Sequence, residues 1–163
     1  MLTRKTDYAI IALSHLAQRP AEVCKSREIA EKYRMPAALL TNVLKTLAQK
    51  ELIRSIRGAK GGYTLAMPAE RITLDAIIHA IEGPVKFVQC ALDSPEGESS
   101  CELTDVCPVT MPVKKVHAKL KAFLVAVTLS DIVHDPSYGE HVVPIGVLAA
   151  DGERSDISDY GHL

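Results

Sequence analysis

Tryptophan is absent from this chain of 163 residues, and aromatic residues of any kind make up only 4% of it, so any core must be aliphatic. No stretch approaches the ~20 consecutive apolar residues that span a bilayer, which leaves no membrane partner. Arg4 and Lys5 precede a fairly apolar run from Tyr8 to Leu13, but Asp7, His15 and the lack of a small-residue cleavage site argue against an exported leader. The expected location is cytoplasmic. Thiols stay reduced there, so the four cysteines point to metal or redox chemistry rather than to a disulfide frame. With no nucleophile triad, P-loop or dinucleotide-binding glycine motif, an enzyme is not expected. Internal repeats are also missing. A strong net charge is lacking too, but the value of −1 hides an asymmetry: residues 1 to 67 hold 12 Lys/Arg against 5 Asp/Glu, and residues 68 to 163 hold 7 against 15. The first part is suited to a polyanion and the second to a different task. The length allows one compact domain with an appended element.

Along the chain, Tyr8, Ile11, Ala12 and Leu16 recur at helical spacing, with Asp7, Ser14 and Gln18 away from that stripe, which predicts a helix over 5–18. Ser26 is placed to cap a short second helix, Arg27 to Tyr33, and Pro36 suits the first turn of a third that runs to about Lys50 with Leu40, Val43, Leu44 and Leu47 inward. The period then changes to extended in residues 53–57 and 63–66 around a Gly58-Ala-Lys-Gly-Gly62 tip, which reads as a hairpin. Three helices followed by a hairpin make a winged helix-turn-helix. Thr73 caps a fourth helix that Gly83-Pro84 ends. A long helix is expected from Val113 to Val133, with Val116, Leu120, Phe123, Leu124 and Val127 on one stripe. Such a face needs a partner, so the helix should pack on the first helix, on its twin in a dimer, or on both. The fold class expected is mainly α with a small β-hairpin. Residues 1–83 would be the DNA-binding domain, 84–112 a cysteine loop, 113–134 the dimerisation helix and 135–163 a flexible tail.

Two features carry chemistry. At the hairpin tip, Arg57 and Lys60 can project into a minor groove, while on the third helix Ala37 and Ala38 cannot hydrogen-bond base edges and leave Thr41, Asn42 and Lys45 as major-groove candidates. Asn42 could read an adenine or hold only phosphate or water. The second feature is three cysteines in one turn-rich, acidic loop, Cys90, Cys101 and Cys107, with gaps of ten and five residues. Structural zinc sites usually contain a C-x2-4-C knuckle, which is missing here; an iron-sulfur cluster, [2Fe–2S] or [4Fe–4S], suits widely spaced thiolates better. Cys24, alone before the second helix, reads as an incidental semi-exposed thiol. His15, His79 and His117 read as ordinary helix-surface or core histidines.

The text Leu2-Thr3 with Asp7-Tyr8-Ala9, Leu52-Ile53-Arg54-Ser55, Arg57-Gly58, Gly61-Gly62-Tyr63-Thr64-Leu65 and Ile72-Thr73-Leu74, together with the three-cysteine loop, closely resembles the Rrf2 family of bacterial transcription regulators over about residues 1 to 134. The resemblance implies a homodimer in which the long helix crosses between subunits, and a cluster held by Cys90, Cys101 and Cys107. The spacing between the first two cysteines is longer than in better-known members. Cys107 also lacks, within three residues, the histidine that IscR-like members use as fourth ligand. Asp7 lies where NsrR-like members carry a ligating aspartate; alternatively it is a surface carboxylate favoured by the positive end of its helix. The expectation is a dimeric regulator that binds a palindromic double-stranded operator and senses iron, redox state or nitric oxide through the cluster. The alternatives are a cluster-free thiol regulator and, from another class, an iron-sulfur electron-transfer protein.

Overall fold

The computed structural model describes residues 3–58, 60–85, 101–103 and 106–136. Helix α1 spans Arg4–Ala17, and Thr3 caps it by accepting from the Lys5 amide at 3.3 Å. Its fully buried face is Ala9, Ala12, Leu13 and Leu16, with Tyr8 and Ile11 half-buried at the edges. Ser14 and His15 are buried as well, contrary to the polar placement expected for Ser14. The physical reason is that α1 is central: the third, fourth and sixth helices all pack on it, so it has little solvent face to offer.

Helix α2 spans Ser26–Lys32 and α3 spans Ala37–Gln49. Ser26 is the first residue of α2 rather than its cap, and no side chain caps that end. Both α2 and α3 close with the same backbone device. Arg34 and Glu51 take left-handed φ values of 52° and 59°, and the amides of Met35 and Leu52 reach back to Ala30 and Leu47 at 2.9 and 3.0 Å. This lets α2 turn sharply into α3 without glycine. Leu40, Val43, Leu44 and Leu47 then face the core, as their spacing predicts.

Strands β1 (Ile53–Ile56) and β2 (Gly62–Leu65) pair antiparallel, Ile53 opposite Leu65 and Ile56 opposite Gly62. The hairpin is fastened to the segment before α2, because Cys24 and Tyr63 exchange backbone hydrogen bonds of 3.0 and 2.9 Å. A Cβ on Gly62 would stand 2.5 Å from the Cys24 carbonyl oxygen, so only glycine permits this close approach. Cys24 is thereby only 1% exposed. It is a core thiol rather than a semi-exposed one, and burial pushes its pKa up.

After a single 3-10 turn, Ala69–Arg71, helix α4 runs over Leu74–Glu82, capped as predicted by the Thr73 hydroxyl, which accepts from the Ala76 amide at 3.1 Å. Gly83, at φ 85°, ends it. The expected single helix from Val113 to Val133 is two: α5, Thr110–Ala126, and α6, Leu129–His134. Pro112 lies inside the first turn of α5, where its missing N–H is not needed. The break has a long-range cause. Leu74 donates to the Val127 carbonyl at 2.8 Å and Leu129 to the Ile72 carbonyl at 2.7 Å, which pins the backbone between them beside α4. Thr128 then opens α6 with a reciprocal capping box to Asp131. Leu129 is fully buried and α6 packs on α1, so this short helix joins the core formed around α1.

Candidate nucleic-acid interface and cysteine segment

Burial of Leu40, Val43, Leu44 and Leu47 leaves the opposite side of α3 to solvent. Asn42 and Lys45 are exposed there and Thr41 is partly so. The Thr41 hydroxyl donates to the Ala37 carbonyl at 2.8 Å and the Thr46 hydroxyl to the Asn42 carbonyl at 3.0 Å. The Asn42 amide and the Lys45 ammonium therefore stand outward from a well-formed helix. Arg57 and Lys60, both exposed, flank Gly58 at the hairpin tip.

The structure adds residues that no local sequence signal singled out. Through the Cys24–Tyr63 pairing, Lys25, Ser26 and Arg27 come to line one groove with Ser55, Ile56 and Gly58 of the wing. The start of α2 and the wing thus form one continuous polar edge. Arg27 is held by Glu31 at 2.7 Å, an exposed pair that contributes little to stability but fixes the guanidinium.

On α1, His15 is fully buried, its ring edge-on to Tyr33 with centroids 5.5 Å apart. Nδ1 pairs with the Tyr33 hydroxyl at 3.2 Å and the Arg19 guanidinium lies 2.9 Å from Nε2, a neighbourhood that suits neutral imidazole. Burial, then the charges of Arg19 and Lys32, hold its pKa below 6.5; the nearby Glu28 opposes them. A base whose folded pKa is lowered leaves the folded state binding fewer protons than the unfolded chain. Stability from this site is complete above about pH 6.5 and declines as the pH falls from there towards the lower folded value. Urea midpoints are expected to fall between about pH 7.5 and about pH 5.5, with a flatter dependence in His15→Gln.

Cys101 and Cys107 are both half-buried, and neither is in a disulfide. Cys107 stands just before α5, where the Leu103 carbonyl accepts from the Cys107 amide at 2.8 Å and rounds off a tight turn. The Thr110 hydroxyl, followed by the amides of Val109 and Thr110, hydrogen-bonds its sulfur and lowers the thiol pKa. These hydrogen bonds stabilise the thiolate, the form that ligates metals and attacks electrophiles, relative to an ordinary cysteine. Cys90 lies outside the described residues. Among the described residues no three His, Cys, Asp or Glu side chains gather in metal-binding geometry, so Asp7 is not brought together with Cys101 and Cys107 within one chain.

Asp7 itself is exposed in the first turn of α1. Next to it, Glu82 reaches over from the end of α4 and accepts from the Thr3 amide at 3.1 Å, the Thr3 hydroxyl and the Thr6 hydroxyl at 2.7 Å. These hydrogen bonds hold the Glu82 carboxyl below its usual range. Sequence reasoning missed this contact because nothing local relates residues 3 and 82.

Helix-turn-helix, glycine-tipped wing and basic edge together define a winged-helix, DNA-binding regulator of transcription. Among the described residues no helix is long and apolar enough to cross a membrane. The chain belongs to the Rrf2 family, described as iron-dependent transcriptional regulators, whose profile matches residues 2–135. The NsrR regulator of Bacillus subtilis is 31% identical over 133 residues, covering 81% of this chain and 89% of its own. The structure of CymR, the global cysteine regulator of B. subtilis, is similar with a TM-score of 0.65 at 25% identity, covering 82% of this chain and 95% of that one. T. potens IscR is similar with a TM-score of 0.64 at 26% identity, covering 88% and 93%. These proteins are regulators and not enzymes, and the family makes this chain a regulator rather than the electron-transfer protein its cysteines also allowed.

Proposed function

We propose that this chain acts in the cytoplasm as a homodimer whose operator affinity is set by an iron-sulfur cluster held by Cys90, Cys101 and Cys107, with Asp7 as the fourth ligand. The observation that carries this reading is the contrast among the cysteines. Cys101 and Cys107 are both partly exposed and hydrogen bonds stabilise the Cys107 thiolate, while Cys24 is sealed in the core. Two partly exposed thiols, one of them on the turn that precedes α5, are donors a cluster can use. When bound, the cluster supplies iron open to oxidants or nitric oxide. Asp7 would be the weakest protein donor to such a cluster, because a carboxylate binds iron of this kind less tightly than a thiolate.

The dimer is supported by α5. Only Thr110 and Leu124 of its residues are buried, and Val116 and Phe123, seven residues apart and so on one face, are 51% and 43% exposed. A second copy of the same helix would cover that stripe. Two α3 helices related by a twofold would meet an inverted repeat about one helical turn, or a multiple of it, apart. Thr41, Asn42 and Lys45 would then face the major groove, with Arg57 and Lys60 over the adjoining minor groove.

One observation favours a second reading. The lowered Cys107 thiol also suits direct oxidation without any cluster, and CymR, a cysteine regulator by its name, shares the fold. Purification without oxygen, an absorption spectrum and an iron and sulfide assay separate the two. A brown protein with iron and sulfide in proportion supports the first; a colourless protein with stoichiometric zinc overturns it. Asp7→Ala with all cysteines intact is expected to keep the colour, react faster with nitric oxide and bind the operator differently. Wild-type behaviour in all three measurements would exclude Asp7.

A further inference from the structure

The last residue of α4 is an unfavourable place for a carboxylate, because the helix dipole puts negative potential there. Glu82 sits there nonetheless, and its partners are all on α1: the Thr3 amide and hydroxyl and the Thr6 hydroxyl. At α1 the same carboxylate lies at the positive helix end and satisfies a donor of the first turn. Thr6 is fully buried, so this contact is rooted in the core rather than lying loose on the surface. Directly after Glu82 the chain breaks at Gly83 and leaves for the cysteine segment, with seven residues between Glu82 and Cys90. On the other side, Thr6 is followed by Asp7, and α1 continues into its packing against α3.

From this juxtaposition we infer that Glu82 is the positioning residue through which the root of the cysteine segment and the Asp7 turn of α1 move as one body, so that the state of the cluster reaches α3. The inference rests on the proposed cluster reading. Glu82 is not a ligand in it: its Oε1 accepts from all three donors at the start of α1, which turns the carboxylate towards that helix. Its work is to keep the two places that would hold the cluster, the cysteine segment and the first turn of α1, in fixed relation. Removing it should leave a cluster on three cysteines while uncoupling that cluster from the DNA-reading helix.

The test compares operator affinity of cluster-loaded and cluster-free full-length protein, using as probe a duplex carrying the inverted repeat that wild type selects from a random library. In wild type the two forms should differ by roughly 10-fold or more, within the usual range of allosteric coupling. In Glu82→Ala the ratio should fall to within about twofold, with the visible absorption per protein unchanged. Glu82→Gln keeps a carbonyl oxygen that accepts from the threonine hydroxyls and should recover most of the wild-type ratio. A wild-type ratio in Glu82→Ala overturns the inference, including the case where both forms melt equally lower, since Glu82 is then only structural. Loss of the visible absorption in Glu82→Ala overturns it as well, by making Glu82 part of the cluster site. A wild type that carries no cluster overturns the underlying reading instead, and is seen before any Glu82 variant is made.

Discussion

Cys90→Ala, Cys101→Ala and Cys107→Ala are each expected to give a colourless protein when purified without oxygen, whereas Cys24→Ala stays brown. The difference follows from where the sulfurs are. Cys24 is 1% exposed, its backbone is tied to Tyr63, and burial disfavours its thiolate, so it can neither ligate iron nor react without unfolding the wing. Cys107 is half-exposed, and the Thr110 hydroxyl and neighbouring amides stabilise its charge. A cluster that loses one of three thiolates has only weaker donors to replace it, so the loss of iron should be essentially complete. The measurement is the visible absorption and iron content per protein. Full colour in Cys107→Ala, or bleaching in Cys24→Ala, would reverse the assignment. Alkylation of the cluster-free, folded protein gives an independent check: Cys107 should be labelled readily and Cys24 only after denaturation.

Arg57→Ala should weaken operator binding by about 1 to 3 kcal/mol, roughly 5- to 150-fold in Kd, at fixed salt. Arg57 is exposed at the end of β1, and the hairpin behind it is braced by the Cys24–Tyr63 pairing, so the guanidinium is presented by a rigid support and not by a loose loop. Preorganisation of this kind is what lets a single side chain carry so much. Replacing Lys60 should have a different signature, a weakening that is uniform across sequences with the salt slope reduced by about 1, because an ammonium over the minor groove would act as a point charge and not as a reader of base edges. Gel-shift titrations at several salt concentrations distinguish the two. Unchanged affinity in Arg57→Ala would remove the wing from the reading of DNA.

The break between α5 and α6 shows where local reading fails. The apolar stripe from Val116 to Val127 continues helically in sequence, and nothing in its period announces an end. A signal was nonetheless present: Thr128-Leu-Ser-Asp131 is a capping-box pattern, and it opens α6. What made the chain obey that signal was the pair of backbone hydrogen bonds to Ile72 and Leu74, more than fifty residues earlier. The burial of Ser14 has a similar origin. A two-sided helix was a fair expectation for α1, but three other helices pack around it and use most of its circumference.

Elements with strong local chemistry were determined by the sequence alone. The core face of α3, the Thr73 cap, the stop at Gly83 and the glycine-tipped hairpin all follow from side-chain periodicity, hydroxyl capping and backbone freedom, which act within a few residues. The basic character of the first 67 residues is likewise a property of composition. Tertiary structure alone decided which cysteine is sealed and which is poised, that Lys25 to Arg27 share a groove with the wing, that α6 returns to α1, and that Glu82 caps a helix 76 residues away. These depend on burial and on hydrogen bonds between distant segments. Such partners are set by how the helices pack, and a linear sequence does not show which distant groups that packing will bring to hydrogen-bonding distance.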